Sequence, residues 1–309
     1  MSVFSAPQFH DEEAARLFVE AHLWPDGPAC PHCGAIDRII ELKGKATKPG
    51  TRKCGHCRKL FSVTKGTVFE SSHVPLHKWL VALFLLCSGK KGISTHQLHR
   101  TLGVTLKTAW FMSHRLREAM RDGMLSPLGG EGSTVEADET YFGFKAGATR
   151  AFRHKPGPAG KRAVVGLVQR GGTVRTFHVA RADSETVGGI VCYHVARETA
   201  LMTDEARLYV EAGATMASHE TVAHAAGKYV RGLAHTNTIE GFFGIFKRGM
   251  RGVYQHCAEK HLHRYLAEFD FRYNDRAALG VGDGARAAAA LASAKGKRLT
   301  YRDSSRAVG

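Results

Sequence analysis

Three acidic residues in the second half of the 309-residue chain have the chemistry of a divalent-metal site. Asp138 lies in the segment VEADETYF, Asp204 follows the short apolar stretch TALMT, and Glu240 lies in HTNTIEGFFGIFKRGM. Carboxylate oxygens are the ligands that hard divalent cations prefer. Two such ions can activate an attacking hydroxyl and stabilise a leaving 3′ oxygen in phosphodiester chemistry. Together the three acids therefore predict metal-dependent chemistry on a nucleic acid, with Mg²⁺ or Mn²⁺ as the catalytic cofactor.

Each acid also has a structural interpretation. Asp138 is compatible with a solvent-facing strand residue, and Asp204 with a turn or a helix cap. Asn237 and Glu240 fit a capping box, in which side chains of the first helical turn satisfy free backbone N–H groups. Lys247 favours the metal interpretation, because it lies about two helical turns after Glu240 and would reach the same face to contact phosphate.

Two Cys-x-x-Cys knuckles near the N-terminus form a second set of chemically active residues. Four thiolates from two turns can hold one tetrahedral zinc ion, and the intervening segment with strand character fits a zinc ribbon. The predicted zinc ligands are Cys30, Cys33, Cys54 and Cys57. A pair of redox sites is the alternative, although the surrounding pattern lacks the strand–helix–strand context of such sites. The remaining cysteines, Cys87, Cys192 and Cys257, are predicted to be core thiols.

The charge of the chain predicts a polyanionic partner. It has 44 Lys and Arg against 28 Asp and Glu, which gives a net charge of +16, and DNA or RNA is the usual partner of such a surplus. The longest apolar run, Trp79 to Cys87, is shorter than the roughly 20 residues of a membrane helix, and the N-terminus lacks an export signal. We therefore expect a cytoplasmic, nucleoid-associated protein with no membrane partner.

The first half of the chain predicts elements that bind zinc and DNA. A helix over Phe9 to Trp24, capped by Asp11, precedes the ribbon and completes a domain over residues 1–70. Two short helices separated by GVT predict a helix-turn-helix segment over residues 71–125. Its predicted DNA contacts are Thr105, Lys107 and Thr108 in the groove and Arg115 and Arg117 at phosphates. A helical hairpin that only packs is the alternative interpretation.

The second half alternates strands and helices. The predicted elements are strands Ser133–Phe144, Ala163–Arg170 and Thr173–Ala180, helix Ser184–Val195, strand Thr199–Thr203, and a helix within His235–Met250. This order predicts an α/β ribonuclease-H-like domain with a mixed sheet over residues 130–279. The basic, Ala-rich segment 280–309 is predicted to be a weakly ordered tail. The fold class is therefore multidomain.

Six motifs resemble one known family. CPHCG, CGHCRKLFSVTKGTVFE, VEADETYFG, LMTDEARLY, HTNTIEGFFGIFKRGMRGVY and FDFRYNDR are similar to segments of the bacterial insertion-sequence transposases of the ISXO type, in which a zinc ribbon precedes a DDE domain. The resemblance implies that Asp138, Asp204 and Glu240 are the DDE triad. It also implies that Asn237 and Lys247 are active-site neighbours.

The function implied is that of a DNA transposase. Such a protein would bind the terminal inverted repeats of its element, cleave phosphodiester bonds at the 3′ ends and join them to target DNA. Its partner would be double-stranded DNA, and it would act as a homodimer or a higher oligomer because two DNA ends must be held. A DNA-binding regulator with an inactive ribonuclease-H-like domain, or a nuclease or resolvase of the same fold, is the alternative.

Overall fold

The chain forms two compact units. The computed structural model describes residues 2–121, 126–149, 157–222 and 235–300. The first unit combines residues 1–121 with the segment that begins at Ala277, and the second comprises residues 122–276. Within the described ranges, no helix is long and apolar enough to cross a membrane.

The first unit begins with a capped helix and a small antiparallel sheet. Helix α1 (Glu12–Leu23) starts where the Asp11 carboxylate accepts the backbone N–H of Ala14 at 2.7 Å, as predicted. The sheet that follows has the order β1-β2-β3. Its strands are β1 (Ile39–Glu41), β2 (Arg52–Cys54) and β3 (Leu60–Phe61).

Three helices follow the small sheet. They are α2 (Leu76–Ser88), α3 (Thr95–Leu102) and α4 (Leu106–Ala119). Helix α2 buries most of the long apolar run. Helix α3 ends at Gly103, which has a left-handed φ of 60° that glycine adopts without strain. The hydroxyl of Thr105 then accepts the backbone N–H of Thr108 and caps α4, so three residues join the two helices.

The C-terminal segment differs from the predicted weakly ordered tail. Residues Asp283–Ala292 form a helix, α9, that packs against α1 and α2. Its Leu291 is buried, and the buried Arg286 donates a hydrogen bond to the Cys87 carbonyl at 2.9 Å. Alanine is the strongest helix former, and its small side chain lets a helix approach its neighbours closely. The Ala-rich composition therefore produces a packed helix here.

A five-stranded mixed sheet forms the centre of the second unit, as predicted. Its order is β6-β5-β4-β7-β8, with β4 antiparallel to β5 and parallel to β7. The strands are β4 (Thr134–Phe144), β5 (Lys161–Gln169), β6 (Val174–Val179), β7 (Ala200–Asp204) and β8 (Ser218–Val222). The edge strand β8 is absent from the sequence prediction.

Helices cover both faces of this sheet. They are α5 (Ser184–His194), the short α6 (Val210–Gly213), α7 (Asn237–Gly249) and α8 (Leu262–Asn274). Successive side chains of a strand point to opposite faces. Val165 and Leu167 of β5 therefore pack in one core with Val187 and Val191 of α5, while residues on the other face of β5 pack in a second core with α7 and α8.

Candidate active site and zinc centre

The four knuckle cysteines converge on one point. Their sulfur atoms all lie within 4.8 Å of one another. The Sγ atoms of Cys30 and Cys57 are 3.6 Å apart, as are those of Cys33 and Cys54. Four thiolates at this spacing fit a tetrahedral zinc ion, so the structure supports zinc at the predicted ligands.

The backbone of the two knuckles shapes this centre. In each knuckle the residue after the second cysteine has a left-handed φ, 78° at Gly34 and 60° at Arg58. The turn after Cys54 brings the backbone N–H groups of Cys57 and His56 to the Cys54 sulfur. Hydrogen bonds from these two groups lower the pKa of the Cys54 thiol to about 6. The thiolate is the form of cysteine that binds metal.

The other three cysteines are not a uniform set of core thiols. Cys87 is buried, but Cys257 is half-buried and Cys192 is exposed. The prediction was therefore wrong for Cys192. This residue lies on the outer side of α5 with the exposed Tyr193, whereas Val187 and Val191 are the residues of the helix that are buried.

Two of the three candidate acids lie on neighbouring parallel strands. Glu136 of β4 is opposite Met202 of β7, and the same register carried two residues further sets Asp138 level with Asp204. Side chains two apart in a strand share a face, so both carboxylates lie on the face that α7 covers. Burial is the main cause that raises the pKa of Asp138 to about 7, and the charges of Glu139, Asp204 and Glu240 contribute to the same rise.

The third acid lies in the first turn of α7 and is exposed. The helix begins at Asn237, which is exposed, and its N-cap is Thr236, whose side chain makes no capping bond. The Glu240 carboxylate instead accepts the Thr236 hydroxyl at 2.9 Å. The capping box of Asn237 and Glu240 was therefore wrong. The spacing of Asn237 and Glu240 matched a capping box, but the helix begins one residue too early for Asn237 to be its N-cap.

Lys247 brings a positive charge to the same region. It is half-buried on α7, and burial lowers the pKa of its ammonium group. The negative charge of Asp138 opposes this decrease, whereas Arg251 and Lys161 add to it. Lys247 is therefore within electrostatic reach of Asp138, Arg251 and Lys161.

The carboxylate oxygens of the three acids are suitable ligands for a hard divalent cation, but they do not form one close cluster. Among the residues that the structure describes, the four cysteines are the group of potential metal ligands with all donor atoms within 4.8 Å of one another. Asp138, Asp204 and Glu240 do not form such a group. Burial is the main cause of the raised pKa of Asp138, and repulsion from Glu139, Asp204 and Glu240 adds to it; a bound cation relieves this repulsion.

One buried carboxylate next to the candidate active site escaped the sequence analysis. Glu136 of β4 has a side chain that is 0% exposed, and it accepts the backbone N–H groups of Thr238 and Ile239 at 2.9 and 3.0 Å. It therefore holds the N-terminus of α7. The segment Val135-Glu136-Ala137-Asp138 contained a usable signal, because an acid that alternates with apolar residues on a central strand must face a polar partner.

A second carboxylate fixes the chain after Asp204. The buried Tyr209 donates its hydroxyl hydrogen bond to Glu139 at 2.8 Å, and burial raises the pKa of Glu139. This bond ties the turn that follows β7 to strand β4.

The predicted DNA contacts divide into an exposed and a buried group. Thr105 and Lys107 lie exposed at the start of α4, and Thr108 is half-buried beside them. The Thr105 hydroxyl caps the helix and is 2.8 Å from the Thr108 hydroxyl. These two threonines are therefore also part of the helix start.

Arg115 and Arg117 do not lie on a surface. They are 4% and 1% exposed. Arg115 donates to the Glu70 carbonyl at 2.6 Å and lies over the Trp79 ring, and burial lowers its pKa to about 10. Arg117 donates to the Ser113 hydroxyl. The prediction of phosphate contacts was therefore wrong, because both side chains turn into the helical core of the first unit.

Two family models match the chain in the order of its units. The ISXO2-like transposase domain matches residues 127–274, and the transposase zinc-ribbon domain matches residues 10–60. The chain belongs to the ISXO2-like transposases. The three acids of this transposase lie within the first match, and its four clustered cysteines lie within the second.

One relative is a protein of a transposable element. The transposase is 29% identical, over 280 residues, to a protein of Halobacterium salinarum described as an uncharacterized protein in transposable element ISH50. The alignment covers 85% of the transposase and 90% of that relative. A chain from the cryo-EM structure of the simian T-cell lymphotropic virus intasome in complex with PP2A regulatory subunit B56 gamma aligns with 15% identity over 56% of the transposase. The transposase spans 63% of that chain, and the TM-score of 0.31 does not establish a shared fold.

Proposed function

We propose that this transposase cleaves the phosphodiester bonds at the 3′ ends of its own element and joins those ends to target DNA. The observation that carries the proposal is the parallel pairing of β4 with β7 up to Glu136 and Met202. Continued by two residues, this register brings Asp138 level with Asp204, and the charges of Asp204 and Glu240 both act on Asp138. The second unit is a ribonuclease-H-like domain in this proposal, and the three acids are its DDE triad.

Each residue has a separate role. Asp138 and Asp204 are rigid ligands on the sheet, and Glu240 is a ligand on the helix above it. Two Mg²⁺ or Mn²⁺ ions held by these carboxylates would supply the activated hydroxyl and stabilise the leaving 3′ oxygen. Lys247 binds a phosphate of the DNA, and Asn237 contacts the substrate from the first turn of α7.

The first unit binds the terminal inverted repeats in this proposal. Helix α4 is the reading helix of a helix-turn-helix, with Thr105, Lys107 and Thr108 at the groove. The net charge of +16 supports attraction to phosphates.

We expect Lys107→Ala to weaken binding to element ends more than binding to random duplex, because Lys107 reads bases in this proposal. Equal loss of affinity for both duplexes, with a shallower salt dependence, would mean that Lys107 contacts only phosphate. The protein acts as a homodimer or a higher oligomer on DNA, because both ends must be held together.

The test is Mg²⁺-dependent nicking of a labelled duplex that carries an element end. Asp138→Asn and Asp204→Asn should abolish nicking and leave binding of the same duplex intact. Glu185→Gln, which removes an exposed acid from α5 on the opposite face of the sheet from α7, is the matched control and should nick normally. Wild-type activity in Asp138→Asn would contradict the proposal. Nicking without strand joining would indicate a nuclease or resolvase, and binding without nicking would indicate a regulator.

A further inference from the structure

We propose that Glu136 is the positioning residue of the third acid. Its buried carboxylate caps α7 from strand β4 and thereby fixes where Glu240 stands relative to Asp138. The inference rests on the proposed function, because it assigns a purpose to the distance between these two acids.

The N-terminus of α7 has no cap from its own sequence. The first N–H groups of a helix have no partner within the helix, and an N-cap side chain usually accepts them. Thr236 occupies the N-cap position of α7 and makes no such bond. Glu136 supplies the acceptors instead. It binds the N–H groups of Thr238 and Ile239 and also accepts the Thr238 hydroxyl at 2.9 Å.

A negative charge at this point is favourable for two reasons. The helix N-terminus carries partial positive charge, which stabilises an anion there. Arg170 donates its Nε hydrogen bond to Glu136 at 2.7 Å, and the Nδ1 of His235 lies 3.2 Å from the same carboxylate. Arg170 also donates to the His235 carbonyl at 2.7 Å. The buried charge is therefore paired, and His235, just before α7, is bonded to Arg170, the residue that follows β5.

The position of Glu136 connects this cap to the candidate active site. It lies two residues before Asp138 on β4 and therefore on the same face of the sheet. Its partner Ile239 is the residue directly before Glu240. One short piece of β4 thus carries the first acid and the acceptor for the helix turn that carries the third acid. An ordinary N-cap from within α7 would stabilise the helix but would not set its distance from β4.

The test compares two buried contacts of the same chemistry. Glu136→Gln keeps the size of the side chain but replaces one oxygen by an NH₂ group, which cannot accept from the α7 donors or Arg170. Asp270→Asn is the matched control. Asp270 of α8 accepts the backbone N–H and the hydroxyl of Thr176 on β6, at 2.9 Å each. Both acids therefore join a helix to a strand through one threonine, but only Glu136 acts on the helix that carries Glu240.

Three measurements on the zinc-loaded full chain decide the inference. They are amide hydrogen exchange over residues 235–246, Mn²⁺ binding by titration calorimetry, and nicking kinetics. For Glu136→Gln we expect faster exchange in the first turn of α7 and roughly tenfold weaker Mn²⁺ binding. We also expect about 100-fold lower kcat, with an unchanged KM for the end duplex. Asp270→Asn should change none of these, even if its thermal stability falls equally.

The outcomes separate the inference from the proposed function. Wild-type Mn²⁺ affinity and kcat in Glu136→Gln, or equal losses in Asp270→Asn, would overturn the inference and leave Glu136 a structural residue. If the wild-type protein binds Mn²⁺ but does not nick DNA, the proposed function fails. The amide hydrogen exchange and Mn²⁺ affinity of Glu136→Gln then still decide the role of Glu136. If the wild-type protein does not bind Mn²⁺, both fail. Should Glu136→Gln not fold, Glu136→Asp keeps the charge, shortens the reach and should show the same losses.

Discussion

At the scale of single residues, the carboxylates of the candidate active site differ in their exposure to solvent. Asp138 has its pKa raised to about 7 by burial and by three neighbouring acids. Glu240 is exposed and bonded to the Thr236 hydroxyl. The buried Asp138 therefore costs more free energy to ionise than the exposed Glu240.

This difference allows a clean test of Glu240. In Glu240→Gln the amide oxygen can still accept the Thr236 hydroxyl, so we expect unchanged thermal unfolding and unchanged binding of element ends. The charge that a metal requires is lost, so nicking should fall by orders of magnitude. Nicking and binding are measured on one preparation. Near-normal nicking would return Glu240 to a structural role.

The zinc centre gives a second prediction. Cys30→Ser should release zinc and unfold the ribbon, because the binding free energy of structural zinc contributes directly to folding. Metal content and circular dichroism measure both effects. Cys192→Ser, which changes an exposed thiol, is the control and should keep its zinc. Purified wild-type protein without zinc would contradict the assignment.

Residue-level prediction succeeded where the chemistry was local. The two Cys-x-x-Cys knuckles could be identified from spacing alone, since each knuckle is one turn. The cap of α7 could not be identified from the sequence, because its acceptor Glu136 lies 102 residues away from Thr238. The nearby residues Asn237 and Glu240 also matched a capping-box pattern that the structure does not form. The prediction of surface contacts for Arg115 and Arg117 was wrong for a related reason, because the sequence does not reveal which face of α4 is buried.

At the scale of elements, the approach of α7 to the sheet depends on one glycine. Gly166 of β5 is paired with Asp138 of β4. A Cβ atom at this position would lie 2.7 Å from a ring carbon of Phe243 and 2.8 Å from Cδ1 of Ile239, both on α7. Glycine therefore lets the helix pack directly against the strand beside the first acid.

We accordingly expect Gly166→Ala to displace α7. Overpacking of this kind costs about 1–3 kcal/mol, and nicking should fall as Glu240 moves away from Asp138. Gly189→Ala is the matched control, because a Cβ in that part of α5 meets nothing within 4 Å, and it should stabilise the helix by about 1 kcal/mol. Denaturant unfolding and nicking measure the two effects. Full activity in Gly166→Ala would show that α7 can shift without harm.

Elements with strong periodicity were predictable, and weakly patterned ones were not. The apolar face of α7, formed by Ile239, Phe242, Phe243 and Phe246, is buried as its helical spacing predicts. Strand β8 has the polar sequence SHETV at the sheet edge, where few of its side chains need be apolar. Helix α9 was missed because small alanines and basic residues resemble the composition of a tail.

At the scale of the whole molecule, the first unit is built from two distant parts of the chain. Helix α9 follows the second unit in sequence but packs within the first. Leu291→Ala should therefore destabilise the first unit by about 2–5 kcal/mol, because Leu291 is 1% exposed. Leu279→Ala, at a residue that is 41% exposed, is the control. Protease sensitivity of the zinc ribbon and α2–α4 measures the effect, and equal resistance in both variants would contradict it.

The late position of α9 has a consequence for synthesis of the protein. A ribosome makes the zinc ribbon, α2, α3 and α4 first, yet the helix that completes their packing emerges only after the whole second unit has been translated. A message truncated anywhere within residues 122–276 would therefore yield a chain whose first unit lacks α9. Such fragments would have apolar surface on α1 and α2 that α9 normally covers, which favours their capture by chaperones and proteases. The products of damaged copies of the gene would thus be degraded.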